Sequence, residues 1–258
     1  MVQAKKRFGQ HFLKEDPIAQ RIVQALTGHG GYTHVIEVGP GTGALTRHLL
    51  DPERFSVTAV ELDPEAAAHL RDALPHLHLV QADLLQLDLN TLVGDAPFAI
   101  IGNFPYNIST QIIFKVLAHR QRCTEVVGMF QKEVADRLAA AHGSKTYGIT
   151  SVLCQSYYTV ERLMNVAPGS FIPPPKVRSA VVRLQRNDRE RLPCNEDLLA
   201  TLVKTAFNQR RKTLHNALKM APRGNDPVPD RFRPLRAEQL SVNDFIELTA
   251  EYEAGAAL

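Results

Sequence analysis

The sequence contains no apolar run that could cross a membrane as a helix. Its longest apolar runs, such as Phe98–Ile101, are far shorter than the roughly 20 residues that a bilayer requires. The basic residues Lys5, Lys6 and Arg7 are not followed by the apolar core of a signal peptide. We therefore expect a cytoplasmic protein that does not associate with membranes.

Cysteine is also scarce. The chain has three cysteines, Cys123, Cys154 and Cys194, which are widely separated and odd in number. No C-x-x-C motif or histidine cluster accompanies them, so the sequence indicates neither a disulfide framework nor a zinc site. We expect buried free thiols and no metal.

Acidic residues are absent from one long segment near the C-terminus. The net charge of the 258 residues is only +3, but the segment between Leu198 and Asn225 concentrates basic side chains, namely Lys204, Arg210, Arg211, Lys212, Lys219 and Arg223. Such a patch suits the phosphates of a nucleic acid. A solvated helix face would carry the same residues, so both interpretations stay open.

The sequence is rich, by contrast, in alternating strand and helix patterns. Helical spacings separate the short apolar runs Val35–Gly39, Val57–Leu62, Leu77–Ala82, Phe98–Gly102 and Glu125–Phe130. This alternation predicts an α/β fold with a mainly parallel, doubly wound, Rossmann-like sheet. The later runs Tyr157–Val166 and Val177–Leu184 lack a helical pattern between them and predict an antiparallel hairpin at one sheet edge.

A polar stretch, Arg186–Pro193, divides the chain and has the composition of a linker. Beyond it only helical patterns occur, interrupted by a Pro-containing loop at Pro222–Pro234. The sequence therefore predicts an α/β domain over residues 1–186 and a small all-α domain over residues 194–258.

The turn Glu37–Gly43 follows the first strand pattern and precedes a helical one. Its glycines are spaced G-x-G-x-G, with Glu37 two residues before the first glycine. A dinucleotide site has G-x-G-x-x-G and places a pyrophosphate on the helix N-terminus. An acid beside the loop disfavours phosphate and suits a positive ligand such as S-adenosylmethionine. The alternative is a glycine turn that serves packing alone.

Polar residues end the next three strand patterns. Glu61 lies where a carboxylate accepts the hydroxyls of a ribose, and Asp83 lies where one could accept from an adenine amino group. Either residue alone is more often a helix cap or a solvated strand end. Because the carboxyl ends of parallel strands meet at one edge, we expect these residues and Asn103 to lie together.

The segment Asn103-Phe104-Pro105-Tyr106 suits the chemistry of an aromatic amine. The Asn103 amide oxygen and the Pro105 carbonyl can accept the two hydrogens of an exocyclic amino group, and Tyr106 offers a ring on which a base can stack. We call this segment the amine clamp. The same string also occurs as a plain strand end with a Pro turn.

These motifs together resemble those of the KsgA/RsmA family of ribosomal RNA adenine dimethyltransferases. The matching segments cover nearly the whole chain and are residues 9–13, 37–43, 61–63, 83, 103–106, 171–177 and 207–214. The resemblance implies a class I S-adenosylmethionine-dependent methyltransferase. It would transfer methyl groups to N6 of two adjacent adenosines in the 3′-terminal hairpin of 16S ribosomal RNA, within the 30S subunit or its precursor.

The resemblance also implies roles for individual residues. Cofactor contacts are expected at His11, Leu13, Gly39, Glu61, Asp83 and Asn103, base contacts at Tyr106 and Phe171, and RNA contacts at Arg210, Arg211 and Lys212. Many family members carry asparagine in place of His11, whose contact could then depend on pH. From the residues alone, Phe171 could instead be a buried loop aromatic, and the arginines could pin one domain to the other.

Two other functions stay open at this point. Erythromycin-resistance methyltransferases, which modify 23S ribosomal RNA, share the amine clamp and the Phe-x-Pro-x-Pro-Lys-Val string. The chain could also act mainly as a non-catalytic factor in small-subunit assembly. We expect a monomer in each case.

Overall fold

Seven of the strands form one sheet. The structure, a computed structural model, describes residues 2–51, 53–221 and 228–255. Arg223 and part of the predicted loop at Pro222–Pro234 lie outside the described residues. Within these ranges, no helix is both long and apolar enough to cross a membrane.

The strands are β1 (Phe12–Leu13), β2 (His34–Val38), β3 (Ser56–Glu61), β4 (His78–Gln81), β5 (Phe98–Asn103), β6 (Cys123–Gln131), β7 (Tyr158–Val166), β8 (Phe171–Ile172) and β9 (Ser179–Arg186). The α-helices are α1 (Asp16–Gln24), α2 (Thr46–Leu49), α3 (Pro64–Ala73), α4 (Asn90–Val93), α5 (Ser109–Ala118), α6 (Lys132–Leu138), α7 (Ile149–Gln155), α8 (Glu196–Asn208), α9 (Leu214–Ala217) and α10 (Val242–Ala254). Short 3₁₀ helices lie at Lys6–Phe8, Pro168–Ser170, Leu218–Met220 and Ala237–Gln239.

The sheet has the order β4-β3-β2-β5-β6-β9-β7. The first five strands pair in parallel, and β9 pairs antiparallel with β6. From β2 the chain adds β3 and β4 on one side, and then crosses to the other side of β2 to add β5 and β6. The order of strands therefore reverses between β2 and β5. In open α/β sheets, ligands bind outside the carboxyl ends of the strands at this switch point.

Strand β5 shows how the sequence fixes the position of the amine clamp. Phe98, Ala99, Ile100 and Ile101 are all fully buried, as expected for a continuous apolar run in a sheet covered on both faces. The strand ends at Asn103, the first residue of the run with a hydrogen-bonding side chain. The clamp is thereby fixed to a rigid element at the switch point.

Contacts divide the chain into two units. The first comprises Met1–Ala135 and Thr159–Arg186, and the second comprises Asp136–Tyr158 and Asn187–Leu258. This division differs from the predicted domains, 1–186 and 194–258, because residues 136–158 cluster with the helical unit. The aromatic contacts of Phe207 with Tyr147 and Phe245 help to hold α7 in that unit.

Other differences from the sequence-based predictions are local. The two-stranded sheet of β1 and β8 was not predicted, because two-residue strands carry no periodicity. The second hairpin strand begins at Ser179 rather than Val177. All three cysteines are free, and Cys123 and Cys154 are buried as predicted, whereas Cys194 is half-buried.

Candidate cofactor and base site

A cavity of about 270 Å³ lies at the carboxyl edge of the sheet, within the first unit. Residues at the ends of β2, β3 and β5 line it, together with the loop after β4 and residues 7–12. The predicted residues Gly39, Glu61, Asp83 and Asn103 all line this cavity. The structure thus brings together four side chains or turns that the sequence separates widely.

The glycine turn approaches the N-terminal segment closely. Gly41 has a φ of +58°, and a Cβ atom at this position would lie 2.9 Å from the Phe12 ring. The Gly41 amide donates to Glu61 Oε2 over 3.0 Å. The turn therefore requires glycine both for its left-handed backbone and for its packing.

We predict that Gly41→Ala will lower the affinity for S-adenosylmethionine at least about tenfold, because a methyl group must displace Phe12 from the cavity wall. Isothermal titration calorimetry measures this affinity. Gly28→Ala is the matched control: Gly28 also has a positive φ, of +78°, but nothing lies within 4 Å of the place that a Cβ atom would take. The control should lose stability and keep its affinity, and equal affinities in both variants would contradict the packing argument.

Glu61 ends β3 and is 5% exposed. Its two carboxylate oxygens accept from the backbone amides of Asp63, at 2.9 Å, and of Gly41, at 3.0 Å. Burial raises the pKa of this carboxyl. Each oxygen retains a lone pair, so a carboxylate already fixed by two amides can also accept from ribose hydroxyls.

Asp83 follows β4 and is half-buried. Its Oδ1 accepts from the Leu85 amide over 2.9 Å in an Asx turn, which fixes the carboxylate at the cavity. The remaining acceptor capacity suits the amino group of an adenine. The adenine contact that the resemblance implies for Asp83 stays a prediction.

Glu37 is a buried acid near the end of β2. The residue is 1% exposed, and within the described part of the chain its Oε2 has no hydrogen-bond partner. Burial, together with the nearby Glu61 carboxylate, outweighs the lowering effect of the Thr46 hydroxyl and backbone amide and raises the pKa of Glu37 to about 8. Glu37 shares a small recess with Gly39 and Asn103, so a positively charged ligand group there would find an acceptor without a partner.

We predict that Glu37→Gln will stabilise the cofactor-free protein increasingly as the pH rises. A buried acid with a raised pKa costs no stability below its ordinary value of 4.5, and this cost grows until the pH passes about 8. The difference in Tm between the variant and the parent should therefore widen from pH 5 to pH 8 in calorimetric scans. A difference in Tm that is constant over this range would show that Glu37 does not titrate between pH 5 and pH 8.

The amine clamp has a defined orientation. Asn103 Nδ2 donates to the His11 carbonyl over 2.8 Å, and this contact leaves the amide oxygen as the acceptor at the cavity. The Pro105 carbonyl accepts from the Ile108 amide over 3.1 Å and keeps a second lone pair. Asn103 at the end of β5 and Pro105 two residues later therefore supply two acceptors of the kind that an amino group needs.

Tyr106 is held by two neighbours. Its hydroxyl lies 2.6 Å from Ser179 Oγ, and its ring stacks on His11 with centroids 5.3 Å apart. Burial raises the pKa of Tyr106, so the phenol stays neutral at ordinary pH. His11 Nδ1 donates to the Pro173 carbonyl over 2.8 Å. The Tyr106 ring is thus a fixed platform beside the clamp.

Comparison with known proteins decides the family. The sequence profile of the family described as ribosomal RNA adenine dimethylase matches residues 1–253. The chain belongs to this family. A ribosomal RNA small subunit methyltransferase A from Cytophaga hutchinsonii is 52% identical over 250 residues, covering 96% of each chain. Another, from Flavobacterium johnsoniae, is 48% identical over 255 residues, covering 98% of this chain and 97% of the relative.

Solved structures agree with this assignment. A dimethyladenosine transferase from Plasmodium falciparum superimposes with a TM-score of 0.81 at 26% identity, covering 95% of this chain and 98% of that one. The 23S rRNA methyltransferase ErmE gives a TM-score of 0.68 at 25% identity, covering 92% and 99%. This dimethylase therefore has the Rossmann-like fold predicted from its sequence, and its cofactor is S-adenosylmethionine.

The cavity fits that cofactor. The carboxylates of Glu61 and Asp83 line it as acceptors for hydroxyl and amino groups, and the unpartnered Glu37 oxygen lies in the adjoining recess near the glycine turn. These three acceptors suit the ribose hydroxyls, the adenine amino group and the ammonium group of S-adenosylmethionine, all of which donate.

Two residues of the dimethylase lie elsewhere than expected. Phe171 is 2% exposed and packs in the hydrophobic core, away from the cavity lining, because its strand β8 pairs with β1 and turns the ring inward. In this conformation the Phe171 ring is enclosed by other side chains, and the base contact that the resemblance implies stays a prediction. Leu13, paired with Phe171, is also a core residue; it borders the recess beside Glu37 and a second pocket beside Thr42, and it is absent from the lining of the main cavity.

Arg210 of the dimethylase is engaged inside the helical unit. Its Nε donates to Glu238 Oε2 over 2.7 Å, and its terminal nitrogen donates to the Ser144 carbonyl over 3.1 Å. The neighbouring Arg211 and Lys212 are exposed. The three residues, which the sequence presents as one patch, therefore differ in their availability to a partner.

Sequence reasoning missed several residues that shape the site. Ser179 orients the Tyr106 hydroxyl, and Lys5 and Gln10 bind Asp63 beside Glu61. Small polar residues and a lysine have no distinguishing pattern in a single sequence. The basic cluster near the N-terminus indicates only a charged surface, and nothing in it points to a buried acid as the partner of Lys5.

Proposed function

We propose that the enzyme uses S-adenosylmethionine to dimethylate N6 of two adjacent adenosines in the 3′-terminal hairpin of 16S ribosomal RNA. The name that its relatives share, ribosomal RNA small subunit methyltransferase A, supports the choice of small-subunit RNA. The observation that carries the proposal is the orientation of Asn103, whose amide oxygen is left as an acceptor beside the Pro105 carbonyl.

The cofactor would be held by residues at the ends of three strands. Glu61 would accept from the ribose, Asp83 would accept from the adenine amino group, and Glu37 would balance the ammonium charge beyond the glycine turn. S-adenosylmethionine supplies a methyl group on a sulfonium, which is already an activated leaving group. The protein's main contribution is then to position the amine.

The amine clamp acts on a poor nucleophile. The N6 lone pair of adenine is delocalised into the ring, and two accepting oxygens, from Asn103 and Pro105, would aim it out of the ring plane and stabilise the positive charge that develops on nitrogen. No general base stronger than water is required. The dimethylated amine has no N–H left to donate, so neither hydrogen bond to the clamp can form at the end of the reaction and release of the base is favoured.

An adenine stacked in RNA cannot reach a cavity at the end of a sheet. The target must be turned out of its loop, and the Tyr106 ring would replace part of the missing stacking. Stacking on an aromatic ring is worth roughly 1–3 kcal/mol per base. We assign this stacking to Tyr106 because it lines the cavity and belongs to the amine clamp.

RNA binding outside the cavity would rest on Arg211 and Lys212. Neutralising both in Arg211→Gln/Lys212→Gln should weaken RNA binding and lower the slope of log K against log salt by about 2, one for each phosphate that is no longer neutralised. Arg210→Gln is the comparison, because Arg210 is already paired with Glu238. It should reduce Tm and leave the slope nearly unchanged. An unchanged slope in the double variant would indicate that Arg211 and Lys212 only form a solvated helix face and do not contact RNA.

The substrate choice has one direct test. Labelled methyl groups are transferred from S-adenosylmethionine to unmethylated small and large subunits in parallel, followed by nucleoside analysis. Dimethyladenosine in the small subunit alone is expected. Label in the large subunit would favour the alternative that the ErmE likeness raises, a 23S ribosomal RNA methyltransferase. Tight binding to the small subunit without transfer would favour a non-catalytic assembly factor.

The proposed substrate also bears on where the enzyme acts and in which oligomeric state. An enzyme that acts on the 30S subunit or its precursor would work as a monomer in the cytoplasm, where ribosomes are assembled. Sedimentation of the free protein tests the oligomeric state.

A further inference from the structure

Residues 5–12, here called the N-terminal strap, lie across the cofactor cavity. Residues 7–12 line the cavity directly. Phe12 packs against Gly41, and Gly9 lies against Asn107, where a Cβ atom would be 2.6 Å from the Asn107 side-chain oxygen. The strap therefore contacts both the glycine turn and the loop that follows the amine clamp.

One acid fastens this strap. Asp63 is fully buried, and its Oδ1 accepts from Lys5 Nζ over 2.6 Å while its Oδ2 accepts from Gln10 Nε2 over 3.1 Å. The Lys5 amide in turn donates to Gln10 Oε1 over 2.9 Å. Glu65 adds a second, more exposed ion pair to Lys5 at 3.0 Å.

Asp63 is also coupled to the cofactor site through its backbone. Its amide donates to Glu61 Oε1, and Glu61 Oε2 accepts from the Gly41 amide. A continuous set of hydrogen bonds therefore runs from the strap through Asp63 and Glu61 to the glycine turn. Asp63 therefore contacts the strap through its side chain and the carboxylate proposed to hold the ribose through its backbone amide.

The buried charge favours the closed strap. Burial alone would raise the pKa of Asp63, but hydrogen bonds from Lys5 and Gln10 outweigh burial and hold this pKa below its ordinary value. An open strap would leave the carboxylate without these two donors. Breaking a buried pair by removing one partner is costly, because the remaining charge stays poorly solvated.

We propose that Asp63 is a positioning residue that closes the strap over bound S-adenosylmethionine, so that release of the cofactor or its product requires the Lys5 and Gln10 hydrogen bonds to break. The proposal rests on the cofactor site described above and needs no RNA. Asp63 contacts neither the methyl group nor the base, and it acts through the strap and through Glu61.

The experiment compares Lys5→Met, Lys5→Arg and the neighbouring control Lys6→Met in the full chain. The dissociation rate of labelled S-adenosylhomocysteine is measured without RNA, at low and high salt. Lys5→Met should release it about tenfold faster than the parent, since the partly buried ion pair cannot form. Lys5→Arg should restore most of the parent rate. Salt should accelerate release from the parent and leave Lys5→Met unaffected.

A second readout follows the strap itself. Trypsin cleavage after Arg7, a site common to all variants, should be slowed by S-adenosylmethionine in the parent and in Lys6→Met, and less so in Lys5→Met. Asp63→Asn keeps the cap of α3, where the side chain accepts from the Glu65 amide. It should show the same fast release, with a lowered Tm because the ion pair with Lys5 is lost.

Parent-like release and protection in Lys5→Met would overturn the proposal, as would an equal effect of Lys6→Met. Failure of the parent to bind S-adenosylmethionine at all would overturn the cofactor site and the role of the strap with it. Normal binding by the parent without methyl transfer to RNA would overturn the proposed reaction and leave the role of the strap supported by its own measurements.

Discussion

Asn103→Ala should abolish methyl transfer while the protein still folds. The substitution removes the side-chain oxygen that would accept from N6 and the donor to the His11 carbonyl. Loss of one preorganised polar contact in an active site typically lowers kcat by about 10²–10³. Because Asn103 holds His11 as well, the decrease should lie at the upper end of that range. Single-turnover transfer of labelled methyl to unmethylated small subunits measures the rate.

Asn103→Asp separates the two roles of this side chain. Aspartate keeps an oxygen where the amide oxygen lies but cannot donate to the His11 carbonyl, so it should also be strongly impaired. Circular dichroism and Tm report whether each variant is folded. Activity of Asn103→Ala within tenfold of the parent would remove the amine clamp from the mechanism.

The location of the site was predictable because it depends on strand ends. Continuous apolar runs such as Phe98–Ile101, set between helical patterns, are typical of buried strands in a covered sheet, and the first polar residue after such a run marks its carboxyl end. Parallel pairing of β2, β3 and β5 then brings Glu61 and Asn103 to one edge. Short-range pattern and topology together were sufficient for these residues.

The contacts that close the site were not predictable in the same way. Lys5 and Asp63 are 58 positions apart, and no periodicity links a lysine near the N-terminus to an acid after β3. The burial of Phe171 was not predictable for a related reason, since its environment depends on pairing between two strands of two residues each. Arg210 forms an ion pair with Glu238, and the basic run Arg210–Lys212 gives no sign of this partner in the sequence.

Three carboxylates near the cavity, those of Asp63, Glu37 and Glu61, differ in their hydrogen-bond and ion-pair partners. Asp63 has a cationic partner and a lowered pKa, Glu37 has none and a raised one, and Glu61 is fixed by two amides. The partners decide which acid binds the protein and which is left for a ligand. On this basis we propose that Glu61 and Glu37 face the cofactor, whereas Asp63 binds the strap.

The affinity for S-adenosylmethionine should fall at least about 100-fold in Glu61→Ala, since hydrogen bonds to a charged group are worth about 1.5–3 kcal/mol each and the ribose would lose two. The substitution also leaves the amides of Gly41 and Asp63 without their acceptor. Glu61→Gln should be impaired too, because its NH₂ group must face one of these donors. Calorimetric titration measures both variants.

Glu125→Gln is the matched control for this prediction. Glu125 is also a fully buried carboxylate, and it accepts from the Thr27 amide over 2.8 Å and from the Tyr32 hydroxyl over 2.6 Å. It lies near the start of β6, however, and therefore at the sheet edge opposite the cavity. Its substitution should lower Tm and leave cofactor affinity unchanged. If Glu61→Ala bound the cofactor as tightly as this control, the carboxylate would serve only to fix the glycine turn, and the ribose would have to find its acceptors elsewhere.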